Sequence, residues 1–183
     1  MIETPRLVLR RWRDADRAPF IAMSADPAVM DWLGGTRTAE QSEATIDRIE
    51  SAFDRLGHGF FAIERKADGA FLGFAGLAPV HEREPIPEGV EIGWRLIRAA
   101  WGAGYATEAA RAALDDGFTR LALPEVVAFT ARTNLRSQAV MQRLGMTRDA
   151  ARDFDHPALA QDHPLRPHVV YFARSSAAPS ARS

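Results

Sequence analysis

The sequence predicts an α/β (α+β) fold: a mixed, mostly antiparallel central sheet with helices on both faces. Three observations point there. Three strand-like segments follow one another between residues 60 and 97, helical patterns stand before and after them, and two glycines, Gly102 and Gly104, open a long helix behind the third strand. Helices are thus interspersed among strands without the strict alternation of a doubly wound sheet. A chain of 183 residues suits one domain, expected over residues 1–174, with "SSAAPSARS" (175–183) as a small, polar, disordered tail.

Each element has its own signal. "RLVLRRW" (6–12) sets Leu7, Leu9 and Arg11 against Val8, Arg10 and Trp12, the alternation of a first strand. "DADRAPFIAMSADPAVMDWL" (14–33) reads as two short helices broken at Asp26-Pro27, because a residue before proline is driven out of the helical region. "TAEQSEATIDRIESAFDRLG" (38–57) is a longer helix, with Thr38 and Gln41 as a capping box and Ile46, Ile49, Phe53 and Leu56 as its apolar stripe. "FFAIERKADGAFLGFAGLAPV" (60–80) is a pair of strands around the turn "ADGA", followed by the polar loop "HEREPIPEG" (81–89) and the strand "VEIGWRLI" (90–97). In the helix after Gly104, Ala106, Ala110, Ala113, Leu114, Gly117, Phe118 and Leu121 recur at helical spacing, opposite Glu108, Arg111 and Asp115. A strand "EVVAFTA", a short helix "NLRSQAVMQRLG" and extended segments near "MTRDAARDF" and "HVVYFARS" complete the order.

Composition narrows the function. The formal net charge is -1, so no global field draws the chain to nucleic acid, and any anion must be caught locally. There is no cysteine, which excludes disulfides, thiolate metal sites and a cysteine nucleophile. The charged N-terminus lacks an apolar signal core and no apolar run is long enough to span a bilayer. A soluble, cytoplasmic protein without membrane or nucleic-acid partners is expected.

The glycine-opened helix is the strongest local signal. Helix N-termini carry free N–H groups and the positive end of the dipole, and glycines let an anion come close. A P-loop needs a lysine after the last glycine, and Lys66, the one lysine, lies elsewhere. A dinucleotide fingerprint needs Gly or Ala where this chain has Thr107, and it belongs to an early βαβ unit. A plain tight turn between strand and helix stays open on these residues alone. In the preceding strand, Val90, Ile92, Trp94 and Leu96 face one side, with Glu91, Gly93, Arg95 and Ile97 on the other. Gly93 inside a strand suggests a bulge or a close backbone approach, and a strand that stops pairing there could take up an extended amide ligand.

"VEIGWRLIRAAWGAGYATEAA" followed by "TARTNLRSQAVMQRLGM" resembles the GCN5-related N-acetyltransferases (GNAT), and within them the RimJ/RimL-like branch. The similarity runs from "TPRLVLRRW" to "HVVYFAR", nearly the whole chain. It implies the GNAT fold, its sheet splayed at the strand 90–97, and acetyl-CoA as co-substrate with no metal. The family's pantetheine pairs with the splayed strand, which maps onto Trp94, Arg95 and Leu96. Its pyrophosphate sits on the turn that maps onto Arg98, Trp101, Gly102, Ala103 and Gly104, and on Tyr105, Ala106 and Thr107 of the first helical turn. Where the wider family often has Gln or Arg three residues before the first glycine, this chain has Ala99.

The resemblance also implies direct acetyl transfer to a primary amine, either a protein N-terminus or a small molecule, and is compatible with a homodimer. A protonated amine is no nucleophile, so a base must take a proton. Glu91 matches a strand position at which several members keep a catalytic glutamate, and apolar neighbours would raise its pKa. Ser137 stands where the resembled branch has a serine on its last helix, able to donate to the departing thiolate as well as to contact the cofactor. Asn134 is implied as a pantetheine or acetyl contact, and it also suits a helix N-cap. A non-catalytic acyl-CoA sensor would use the same glycines and Asn134, leaving Glu91 and Ser137 as the residues that speak for catalysis.

Asp153, Asp155, His156, His163 and His168 fit no zinc spacing and are read as a loop beside the acceptor site. His81 reads as a surface-loop residue, and no G-x-S-x-G elbow supports a hydrolase triad.

Overall fold

The short strand β1 (Ile2–Glu3) runs antiparallel to β2 (Leu7–Arg10), in which Leu7 and Leu9 are completely buried, as their alternation requires. The computed structural model describes residues 1–81 and 84–175; all of the expected tail but Ser175 lies outside them. The described chain forms two compact units. The first joins Met1–Ala78 to Ile92–Ala113, and the second joins Pro79–Glu91 to the residues from Leu114 onward.

In the first unit, β2 pairs with β3 (Phe60–Arg65) and β3 with β4 (Phe71–Pro79), both antiparallel, and β5 (Val90–Leu96) follows β4 in strand order. Gly73 in β4 explains how closely two backbones meet here. A Cβ at Gly73 would lie 2.1 Å from the Arg95 carbonyl oxygen and 2.7 Å from Leu96 Cα, and its φ is +135°. The helices are α1 (Arg17–Ala25), α2 (Pro27–Met30) and α3 (Ala39–Leu56). The α1/α2 break falls at Asp26, whose side chain caps α2 from Ala28 N–H. Thr38 and Gln41 close the expected capping box of α3. Ile46, Ile49 and Phe53 are buried, but Leu56, the final residue of the helix before its Gly57 cap, is 39% exposed.

Aromatic rings fill much of this core. Trp12 meets Phe20 edge-on at 5.1 Å, Phe60 lies 5.2 Å from Phe74, and the Trp12 indole donates to the Phe60 carbonyl at 2.7 Å. Arg10, which alternation alone would turn outward, is buried and bonded to Asp16 at 2.7 and 2.9 Å and to Glu64 at 2.7 Å. Burial pushes the Asp16 carboxyl up, but hydrogen bonds from Arg10 and the Arg13 N–H outweigh it and hold the group below its ordinary range.

In the second unit, β6 (Glu125–Ala131) lies beside β9 (Pro167–Arg174), antiparallel through seven residue pairs that include Val127–Phe172 and Ala131–His168. The short strands β7 (Thr147–Arg148) and β8 (Phe154–Asp155) also pair with β9. β5 enters this unit with Val90 and Glu91 and meets β6 in parallel at one register pair, Glu91–Val127. Val126, Ala128, Val140, Met141, Val169 and Val170 make its core. Helix α4 (Tyr105–Thr119) continues from the first unit into the second, and α5 (Leu135–Arg143) follows β6.

Candidate active site

In the first unit a turn joins β5 to α4. Gly102 and Gly104 have φ of +77° and +82°, which a side chain would strain. Glu108 is the first N–H of the helix to find a helical carbonyl, bonding Gly104 O at 3.0 Å. The N–H groups from Gly102 to Thr107 are therefore left for a ligand or water. Arg6 steadies the turn. Its Nη1 donates to the Ala103 carbonyl at 2.9 Å, its guanidinium lies 4.5 Å from the centre of the Tyr105 ring, and its Nε donates to Glu108 at 2.6 Å. Thr4 Oγ1 donates to the same carboxylate at 2.6 Å. Sequence reasoning missed Arg6, since nothing local ties it to a turn nearly a hundred residues away.

The other first-unit candidates differ in what they can offer. Arg98 is exposed and makes no side-chain hydrogen bond or ion pair among the described residues, so its guanidinium is available to an anion. It borders a groove of about 330 Å³ lined in part by Pro19, Met23 and Val29. The Trp101 indole donates to the Leu96 carbonyl at 3.0 Å, taking one lone pair of an atom expected to face pantetheine. The Leu96 side chain is buried, while Trp94 and Arg95 are half-buried. At Gly93 the missing side chain makes room for Phe60, whose Cε1 would lie 3.0 Å from a Cβ there.

In the second unit, Glu91 is half-buried at its pairing with β6. Burial, with the Glu84 charge adding to it, pushes its carboxyl up to about 7. Glu84 is itself buried, and His156 Nε2 lies 3.8 Å from its Oε1. The His156 ring lies 5.1 Å from His168, which is stacked on Phe154 and held below its ordinary pKa mainly by burial. Glu84 is the second residue that sequence reasoning missed: it sits in a proline-rich loop, and only folding puts its charge near Glu91. Among the described residues no group of three or more His, Asp or Glu is placed to hold a metal ion.

Asn134 caps α5: its Oδ1 accepts from Ser137 N–H at 3.2 Å, and its Nδ2 donates to Thr130 Oγ1 at 3.0 Å. Both ends of the amide are thus engaged, leaving one N–H of the amide nitrogen for a ligand. Ser137, in the first turn of α5, is half-buried, and its hydroxyl makes no hydrogen bond among the described residues.

A family model described as "Acetyltransferase (GNAT) domain" matches residues 6–147. The chain belongs to the GNAT acetyltransferases. It is 33% identical over 145 residues to the Bacillus subtilis (strain 168) protein YkkB, covering 78% of this chain and 83% of that one. It is 39% identical over 153 residues to the FsC-acetyl coenzyme A-N(2)-transacetylase of Aspergillus fumigatus, covering 80% of this chain and 64% of the relative. The crystal structure of the acetyltransferase from Agrobacterium tumefaciens str. C58 superposes with a TM-score of 0.77 at 28% identity, over 95% of this chain and 94% of that one. As a GNAT enzyme the chain is an acyltransferase that uses acetyl-CoA. The turn fits that molecule's pyrophosphate: it is exposed, has free N–H groups, lacks side chains at Gly102 and Gly104, and has Arg98 beside it.

Proposed function

We propose that this GNAT enzyme transfers acetyl from acetyl-CoA to a primary amine, with Glu91 as base, Ser137 as donor to the leaving group, and residues 1–174 as the catalytic domain. The observation that carries the reading is the half-buried Glu91 carboxyl, poised at about 7 on the strand that leads to the glycine turn. A base near neutrality can accept a proton from an ammonium and release it again.

Bound acetyl-CoA supplies an activated thioester. Gly102 to Thr107 and Arg98 hold the diphosphate, and the backbone of Trp94 and Arg95 pairs with the pantetheine arm. The Glu91 carboxylate takes one proton from the acceptor ammonium at Oε, freeing the nitrogen lone pair. That nitrogen forms the C–N bond to the acetyl carbon while the C–S bond breaks; the Ser137 hydroxyl steadies the departing thiolate with a hydrogen bond, and the second proton shed by the nitrogen leaves on that sulfur, so that the amide and the CoA thiol depart neutral. Asn134 orients the acetyl end through its remaining N–H. The name of the Aspergillus relative, an acetyl coenzyme A-N(2)-transacetylase, supports acetyl transfer to a nitrogen atom, and the RimJ/RimL-like resemblance supports a protein N-terminus as the acceptor, with a small-molecule amine as the other candidate.

The test is thermal stability with and without acetyl-CoA, with NAD and ATP as controls, followed by thiol-release assays on N-terminal peptides and small amines. A melting temperature raised by acetyl-CoA alone is expected, because a ligand that binds only the folded state stabilises it by mass action. No rise with acetyl-CoA would overturn the reading.

A further inference from the structure

Arg10, buried, and Arg95, half-buried, are treated differently by the fold. Arg10 is held by two carboxylates, Asp16 and Glu64, each at 2.7 Å. Arg95 has no hydrogen bond to, or ion pair with, a carboxylate among the described residues. Its Nε is shut off from solvent and donates to nothing. Its guanidinium lies 5.2 Å from the centre of the Phe74 ring, within the aromatic cluster that includes Phe60 and Phe20. The charge that bears on it is a second cation, Arg37. Burial, reinforced by Arg37, brings Arg95 down to about 10.

Arg37 is itself tied down. Its Nη1 donates to the carbonyls of Gly35 at 2.9 Å and Thr36 at 3.3 Å, and its Nη2 donates to Leu33 O at 3.0 Å. Two like charges acting on each other, one half-buried and carrying an orphaned Nε donor, are unfavourable without an anion. The aromatic face offsets only a small part of that cost. A carboxylate would satisfy the guanidinium fork through paired, charge-assisted hydrogen bonds. By strand alternation Arg95 belongs to the same face of β5 as Glu91, four residues earlier.

We propose that Arg95, aided by Arg37, binds a carboxylate carried by the amine acceptor, so that the enzyme's substrates are amines that also bear an acid group. The anion site stands on its own geometry; assigning its occupant to the acceptor rests on the acetyltransferase reading. Arg95 then has two roles on one residue: its backbone lies along the cofactor strand, and its side chain selects the acceptor.

The test reads the arginine Nε–H signals of the full-length protein by ¹H–¹⁵N correlation. The Arg95 signal is identified by its loss in either Arg95→Met or Arg95→Lys, so the assignment survives if one variant fails to fold. Wild-type protein is titrated with 6-aminohexanoate, pentylamine, acetate, phosphate and chloride at constant ionic strength. The Arg95 signal is expected to move saturably with 6-aminohexanoate and acetate, but not with pentylamine or chloride. In Arg37→Gln the apparent affinity should fall at least fivefold. Saturating CoA should leave the 6-aminohexanoate response in place. A signal that ignores carboxylates, or follows chloride equally, overturns the site. A response strongest with phosphate and abolished by CoA gives Arg95 to the cofactor and overturns the acceptor assignment. Failure of acetyl-CoA to raise the melting temperature would overturn the acetyltransferase reading separately, whatever the arginine signal does.

Discussion

Replacing Glu91 with Gln should slow the enzyme and stabilise the protein in the same pH range. In the folded chain this carboxyl rises from an ordinary 4.5 to about 7, so between those values the folded state holds more protons than the unfolded chain. Stability therefore falls as pH rises through that window and levels off above about 7. At about 1.4 kcal/mol per pH unit, the penalty reaches at most roughly 3 kcal/mol, less whatever hydration a half-buried carboxylate retains. The isosteric Gln escapes it. Urea unfolding should find Glu91→Gln equal to the parent near pH 4.5 and more stable by up to about 3 kcal/mol at pH 8. Activity moves the other way. General-base catalysis contributes about 10²- to 10⁴-fold, so kcat/KM should drop by at least about a hundredfold while acetyl-CoA binding is kept. In the parent, kcat/KM should rise about tenfold per pH unit below 7 and flatten above it. The acceptor's own titration could mimic that limb, and Glu84→Gln separates the two. Removing the Glu84 charge lowers the Glu91 pKa, leaves the larger burial effect in place, and should move the inflection to lower pH. An inflection that does not move in Glu84→Gln, or a Glu91→Gln enzyme with unchanged kcat/KM, would refute Glu91 as the base.

Three further outcomes follow from the geometry. Gly104→Ala, at φ +82°, should cost about 1–2 kcal/mol in chemical unfolding and weaken acetyl-CoA binding by calorimetry, while leaving the Glu91-dependent pH limb unchanged. Asp16→Ala leaves buried Arg10 with Glu64 as its remaining carboxylate and should lose about 3–5 kcal/mol of stability; a loss under 1 kcal/mol would show that the pair is hydrated. Gly73→Ala would place a methyl 2.1 Å from the Arg95 carbonyl oxygen, so it should yield insoluble or strongly destabilised protein by expression and circular dichroism.

Much of this was legible in the residues. Short-range rules governed the Thr38–Gln41 capping box, the strand pair around "ADGA" and the Gly102/Gly104 turn, and all three appear where the sequence puts them. The paired motifs around the glycines and around Asn134 pointed to the family that the comparison then found. Alternation failed at Arg10, because a cation that ought to face water found Asp16 and Glu64 in the interior, and two carboxylates can offset its lost hydration. Helical spacing failed at Leu56, because periodicity does not record where a helix ends.

What the sequence determined by itself was therefore local: which segments form strands and helices, where glycine is obligatory, and which motifs belong to the acetyltransferases. Tertiary structure alone decided the electrostatics. Glu84 comes from a loop, Arg6 from the N-terminus and Arg37 from the segment between α2 and α3, and each acts on a group far from it in sequence or on another element. A charge acts through a few ångströms of low-dielectric protein, a distance that chain order does not encode, so the pKa of Glu91 and the unmatched charge of Arg95 exist only once the chain has folded.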